Sequence, residues 1–153
     1  MPNPTQQRTQ RPQSTRNTGQ ARTIDYIAEL KDSQRIGARA FDAILKPLND
    51  KGNYNEYIEC IKRYVEKDSK KISSSQLRNI FSRIKKIKEF KELYLIRPKL
   101  AYLSGRASEM EMKRLLSLLD YLIKEVNDNN KLEEFKNFFE AVIAYHKYFG
   151  GKD

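Results

Sequence analysis

The chain has 153 residues, a size that suits one domain able to bury roughly two-thirds of its unfolded surface. Its single cysteine, Cys60, excludes an internal disulfide and suits a reducing compartment, and no apolar run approaches the roughly twenty residues of a membrane span. The N-terminus lacks the apolar core of a secretory signal, so a soluble, cytoplasmic protein of formal net charge +10 is predicted.

The first 22 residues differ in composition from the rest of the chain. They are rich in Pro, Gln, Thr, Asn and Ser, and they contain four arginines and no acidic residue. Such a segment cannot offset its ordering entropy by burial. It is therefore predicted to be a disordered basic arm, followed by a single helical domain over residues 23–153.

The domain is predicted to be all-α, a compact bundle of about five or six helices, because its apolar residues recur at helical spacing. Thr23 is expected to cap the first helix, and Pro47 to end the second. Residues 49–53 are predicted to form a loop. A longer helix should follow from Tyr54 to about residue 67.

Further helices are predicted in the second half of the chain. A cap at Ser73 to Ser75 should open a helix that runs through residues 77–91. Pro98 suits the first turn of a short helix that Gly105 would stop.

Two helices are predicted to complete the bundle. The first carries an apolar stripe over residues 115–126, and the second covers residues 132–149. Gly150 is expected to end the last helix in the left-handed conformation. The C-terminus should therefore belong to the packed body, with His146 packed on the last helix.

Positive charge is concentrated in one ordered segment. Residues 73–106 carry nine lysines and arginines against two acids, whereas residues 107–153 carry seven against nine. Clustered cations on an ordered surface suit a phosphate backbone, because neutralising phosphates releases condensed counterions.

A helical wheel of residues 77–91 separates apolar from basic side chains. Arg78, Ser82 and Lys85 have i, i+4, i+7 spacing and form one strip, with Lys86 beside it. Such a strip can follow a sugar–phosphate backbone without reading bases. The alternative interpretation is a solvated, lysine-rich face that keeps the protein soluble.

The short helix at Pro98 offers two further cations, Lys99 and Arg106, which are expected to face outward. Arg106 has two interpretations, contact with nucleic acid or an ion pair with Glu140. Nearby tyrosines could stack on bases, although their spacing beside alanines favours packing between helices. These tyrosines are Tyr94, Tyr102, Tyr145 and Tyr148.

Residues suited to catalysis do not cluster. His146 is the only histidine and Cys60 the only cysteine, so the sequence can supply neither a zinc cluster nor a Cys/His dyad with a spare ligand. There is no glycine-rich phosphate loop. The prediction is a protein that is not an enzyme and uses no cofactor, metal or small-molecule substrate.

Three stretches in this order carry a family resemblance: SSSQLRNIF (73–81), PKLAYLSGR (98–106) and EAVIAYHKYFGGKD (140–153). Together they resemble the small helical subunit of the type III-A CRISPR effector, the Csm complex, over about residues 72–153. The positions that match the family pattern are Arg78, Lys99, Ala101, Tyr102, Gly105, Arg106, Ala144, Tyr145, Lys147, Gly150 and Gly151.

The resemblance implies a compact helical protein without nuclease activity. It implies that several copies stack along the guide-RNA–target-RNA duplex beside other Csm subunits and contact mainly the target strand's backbone. It nominates Arg78, Lys99 and Arg106 as RNA contacts, whereas Lys85 and Lys86 are nominated by the wheel. Structural roles fall to Tyr102, Gly105, Tyr145 and Gly150.

Two functions from other classes remain as alternatives. One is a helical scaffold or adaptor whose basic segment docks an acidic protein partner. The other is a DNA-binding helical module with the arginine arm in the minor groove. Neither has a positive motif here, and residues 1–70 match no recognised pattern.

Overall fold

The computed structural model describes residues 25–151, which form α-helices joined by short loops and 3₁₀ turns, with no strand among them. The all-α class is confirmed. The predicted arm over residues 1–22 and the predicted cap Thr23 lie outside the described residues. The helices are α1 (Tyr26–Lys31), α2 (Ala38–Ala43), α3 (Tyr54–Asp68), α4 (Ser74–Lys85), α5 (Phe90–Leu93), α6 (Arg97–Arg106), α7 (Met110–Glu125) and α8 (Asn129–Tyr148), and the 3₁₀ turns are Leu48–Asp50, Ser69–Lys71 and Tyr94–Ile96.

Side-chain caps explain where four of these helices begin. In each, a polar side chain accepts a hydrogen bond from the backbone N–H three residues later, which satisfies a donor that the helix leaves open. Ser73 caps α4 through Gln76 as predicted, and Asp25 caps α1 through Ala28 at 2.9 Å. The other two caps are Asn53 and Asp128.

The segment predicted as one helix over residues 77–91 is broken, because α4 ends at Lys85 and α5 begins only at Phe90. Helix α8 satisfies the backbone groups that the break exposes. The ammonium of Lys136 donates to the carbonyl of Ile87, and the side-chain oxygen of Asn129 accepts from the Phe90 N–H. These contacts come from about 40 to 50 residues away, so local periodicity could not reveal them.

Helix α6 also differs from the prediction at its C-terminal end. Gly105 does not stop it, since the helix includes Arg106 and leaves through an extended Ala107. Pro98 lies in the first turn as predicted. A Cβ built at Gly105 would meet no atom within 4 Å, so the position does not require glycine in this fold.

The core lies along α7 and α8. Helices α3 and α4 pack on α8, while α1 and α6 pack on α7. The two central helices contribute the largest share of the fully buried apolar side chains, among them Leu115, Leu118, Ile123, Phe135 and Phe139. The predicted apolar stripes of α4 and α7 are therefore confirmed as the buried faces.

The end of α8 has the predicted left-handed glycine. Gly150 has φ +83°, its N–H donates to the Lys147 carbonyl, and the Gly151 N–H donates to the His146 carbonyl at 2.9 Å. This pair of bonds is the Schellman arrangement. A Cβ at Gly151 would lie 2.4 Å from the imidazole ring of His146, so the second glycine is required for close approach.

His146 joins the last helix to the connection between α3 and α4. The side chain is buried, and its Nε2 lies 2.9 Å from the Ser69 carbonyl oxygen and 3.1 Å from that of Ile72. The two carbonyl acceptors require Nε2 to carry a proton, and Nδ1 lies 3.2 Å from the hydroxyl oxygen of Ser74. The expectation that His146 packs on the last helix is confirmed.

None of the helices between residues 25 and 151 combines the length and the apolarity of a membrane span. Even α8, at 20 residues, carries charged side chains along its length.

Candidate nucleic-acid interface

Helix α4 presents the predicted basic strip to solvent. Leu77, Ile80 and Ile84 are buried against the body, and Arg78, Ser82 and Lys85 are exposed along one flank of the helix. Lys86 is exposed as well and is the C-cap residue. The strip therefore exists, but it ends where α4 ends.

Sequence reasoning missed three exposed cations in the same region, Arg83, Lys88 and Lys91. Arg83 lies one position after Ser82, in a second strip with Asn79 and Lys86, so a wider arc on the wheel would have included it. Lys88 lies in the break between α4 and α5, and Lys91 lies in α5 itself, and the continuous wheel represented neither element.

The cations of residues 73–106 are largely free of acidic partners. In the described part of the chain, seven of the nine form no ion pair with a carboxylate, namely Arg83, Lys85, Lys86, Lys88, Lys91, Lys99 and Arg106. Arg97 is an exception, because its Nε lies 2.8 Å from Oδ1 of Asp120 on α7. Arg78 is engaged in an interaction of its own and is not one of the seven.

A cluster of two cations around one aromatic ring lies on α6. The Lys99 ammonium is 5.8 Å from the centroid of the Tyr102 ring, and the Arg106 guanidinium carbon is 5.6 Å from it. Nη1 of Arg106 also donates to the Tyr102 hydroxyl at 2.8 Å. The ion pair with Glu140, one of the two interpretations of Arg106, is not formed among the described residues.

The tyrosines divide between packing and exposure. Tyr145 packs against the core, and Tyr94 donates its hydroxyl proton to the Val126 carbonyl at 2.6 Å. Tyr102 is 56% exposed and Tyr148 is 71% exposed, so the inter-helix packing expected for these two is wrong. For Tyr102, the reason is that α6 buries Leu100 instead, a neighbour on a different face of the helix.

The predicted site residues form two groups, one at α4 and one at α6, and each of these helices packs on a different neighbour. Arg78 and Lys85 belong to α4, with Lys86 as its C-cap, and α4 packs on α8, whereas Lys99 and Arg106 belong to α6, which packs on α7. The chemistry that both helices offer to an anion is hydrogen-bond donation from exposed cations.

Features of an active site are sparse in residues 25–151. No group of three or more His, Cys, Asp or Glu side chains in that range is placed to hold a metal ion. A groove of about 560 Å³ lies between α6 and α7, and Arg97 and Asp120, its charged lining residues, are paired with each other.

Comparisons with known proteins identify the family of the chain. Residues 49–152 match the family described as Csm2 Type III-A. The chain is 31% identical, over 116 residues, to the CRISPR system Cms protein Csm2 of Streptococcus thermophilus, an alignment that spans 66% of this chain and 94% of that protein. No solved structure matches the chain. From the extent of these matches, the chain belongs to the Csm2 family, the small subunits of type III-A CRISPR effectors.

Proposed function

We propose that this chain is a non-catalytic, RNA-binding small subunit of a type III-A CRISPR ribonucleoprotein effector that acts in antiviral defence. Its partners are the guide RNA and the target RNA, other Csm subunits and further copies of itself, in the cytoplasm. It holds the target strand through backbone contacts that do not depend on base sequence. Family membership supports the assembly, and the exposed cations support the contact with RNA.

The observation that carries the proposal is the lack of acidic partners around the basic segment. Seven cations between Arg83 and Arg106 form no ion pair within the described residues. A cation that is already paired within its own fold has little attraction left for a phosphate, whereas these seven keep theirs.

Backbone contact fits the task of such an effector. A complex that must accept any target delegates base reading to Watson–Crick pairing with the guide and leaves the protein to hold shape and phosphate. Cationic strips on rigid helices supply that grip. A weak grip in each copy is sufficient if several copies bind one continuous duplex, because linked binding events raise the effective concentration.

The test is RNA binding by a variant that removes three adjacent charges, Arg83→Gln/Lys85→Gln/Lys86→Gln. Binding is measured by fluorescence anisotropy on two single-stranded RNAs of unrelated sequence, a single-stranded DNA and a duplex DNA, each over a range of salt. We expect equal losses of affinity on both RNAs. The slope of log affinity against log salt should fall by about 2, since each single-strand phosphate contact contributes about 0.7.

A charge-matched control separates a local site from general attraction. The variant Arg39→Gln/Lys46→Gln/Lys70→Gln removes the same charge from exposed residues outside the basic segment. Its affinity should stay near that of the unmodified chain. If the two variants lose affinity equally, or if the loss depends on the RNA sequence, the proposed site is wrong. Preference for duplex DNA would favour a DNA-binding module instead.

A further inference from the structure

Lys99, Tyr102 and Arg106 occupy one strip of α6, because their spacings of three and four residues correspond to successive helical turns. Side chains on a helix lean toward its N-terminus. Arg106 therefore reaches back over Tyr102, and the ring lies between the two cations along the strip.

Two neutral groups of Tyr102 hold the guanidinium of Arg106. The phenol oxygen accepts from Nη1 at 2.8 Å, and the ring face lies 5.6 Å from the guanidinium carbon. A guanidinium has five N–H donors in a planar fork, so one bond to tyrosine leaves the others available. The side chain is held and its charge is not cancelled.

Arg97, on the same helix, shows the contrasting arrangement. It is held by a carboxylate, with Nε 2.8 Å from Asp120. That partner fixes the side chain and neutralises it at the same time. The two arginines of α6 thus differ in the charge of the group that holds them, and this difference decides which of them can attract an anion.

We infer that Tyr102 is a positioning residue for a phosphate contact made by Arg106, with Lys99 beside it. This inference rests on the proposed function. An arginine on a helix surface normally loses rotamer freedom when it binds a phosphate. Because Tyr102 already restricts Arg106 in the free protein, Arg106 loses less side-chain entropy when it binds. The guanidinium is already oriented for contact with the RNA backbone.

Three variants of the full chain test the inference: Tyr102→Phe, Arg106→Ala and the double variant. Binding to two unrelated single-stranded RNAs is measured across a salt range. Tyr102→Phe keeps every charge and the ring but removes the hydrogen bond, so affinity should fall by about threefold to tenfold with an unchanged salt slope. Arg106→Ala should lower both the affinity and the slope, the slope by about 0.7.

The double variant decides whether tyrosine acts through arginine. In the Arg106→Ala background, Tyr102→Phe should cause no further loss of affinity, because the group that it positions is gone. The ring is more than half exposed, so the unfolding midpoint of Tyr102→Phe should match that of the unmodified chain. Arg97→Ala is the matched control on α6, and it should leave both the affinity and the salt slope unchanged.

The outcomes separate the two proposals. If Arg106→Ala binds RNA like the unmodified chain, Arg106 makes no phosphate contact, and both the contact and its positioning are wrong. If Arg106→Ala weakens binding but Tyr102→Phe does not, only the positioning role is overturned. Equal losses from Tyr102→Phe in both backgrounds would also overturn it, since tyrosine would then act independently of Arg106.

Discussion

Two groups of cations in this protein are used in opposite ways. Arg114 and Lys51 are almost completely buried, and each is bonded on several sides. The cations of residues 73–106 are mostly exposed, and seven of the nine are without a carboxylate partner among the described residues. The sequence distinguishes these groups poorly, because the residue type alone does not tell whether a lysine or an arginine is buried or exposed.

The buried group joins distant parts of the chain. Arg114 on α7 donates to Asp68 at 3.0 Å and to Glu29 at 3.1 Å, and Arg35 donates to the other oxygen of Asp68 at 2.9 Å. Burial raises the pKa of Asp68 more than the two guanidinium groups lower it. The network links α1, α3 and α7 through ion pairs. Each charged group in it depends on its partners, because a buried charge without a partner destabilises the fold.

The difference shows what the protein requires of a cation in each place. A buried cation stabilises the fold through its partners, and its charge and N–H donors are not available to a ligand. An exposed cation contributes little to the fold and keeps its attraction for phosphate. Stability should therefore depend on the first group and RNA affinity on the second, and each expectation can be measured separately.

The largest effect on stability is expected from Arg114→Met. The change leaves Asp68, which is 1% exposed, with Arg35 alone. Breaking a buried pair on one side costs about 3–5 kcal/mol, so the free energy of unfolding should fall by that amount in urea titrations followed by circular dichroism.

Arg83→Met is the control for this prediction, since it makes the same chemical change at an exposed side chain. It should change the free energy of unfolding by no more than about 0.5 kcal/mol. If Arg114→Met does not fold, adding Asp68→Asn should restore part of the stability, because it removes the buried charge that Arg114 had paired. Similar stabilities of the two single variants would refute the division into two groups.

How much the sequence predicts follows from the same division. Local periodicity identified the buried faces of α4, α7 and α8, and it identified the outward strip of Arg78 and Lys85, since both follow from the 3.6-residue repeat. It could not predict that α4 stops at Lys85, because the groups that stabilise the break belong to α8. Interactions between distant residues leave no trace in a local pattern.

The site shows the same limit at the level of single residues. The spacing of Tyr102 beside Ala101 favours packing between helices, yet Tyr102 lies on the exposed face of α6 among cations. Gly105 was expected to stop α6, although the helix continues through Arg106. Gly150 was predicted correctly, since a left-handed residue after the last helical turn is a local feature.

A smaller effect on stability is expected from Lys51→Met. The Lys51 ammonium donates to the carbonyls of Ala43, Ile44 and Lys46 at 2.6–2.8 Å and lies 3.2 Å from Glu134. It thus satisfies carbonyls at and just beyond the end of α2, of which the Ala43 carbonyl also accepts from the Lys46 N–H. Because hydrogen bonds from a charged donor are worth about 1.5–3 kcal/mol, a loss of about 2 kcal/mol is expected, and the control Lys46→Met should lose little.

The pH dependence of this variant gives a second test. Burial lowers the pKa of Lys51 more than pairing with Glu134 raises it. Between the lowered pKa and the unfolded value of about 10.4, the unfolded chain binds more protons, so this lysine makes stability rise with pH. The difference between the unmodified chain and Lys51→Met should widen as pH increases through that window. A difference that narrows would contradict the stated cause.

The smallest effect on stability is expected where the effect on RNA affinity is greatest, in the variant Arg83→Gln/Lys85→Gln/Lys86→Gln. Two opposing terms act on these side chains. Cations in the last turn of α4 interact favourably with the helix dipole, and they also repel one another across a segment with few acids. Both terms are screened at the surface, so the free energy of unfolding should change by no more than about 0.5 kcal/mol.

Urea titrations at low and high salt measure this directly. A loss above about 1 kcal/mol would mean that the α4 cations stabilise the fold itself, and lower RNA affinity in the variant would then reflect a damaged helix rather than missing phosphate contacts.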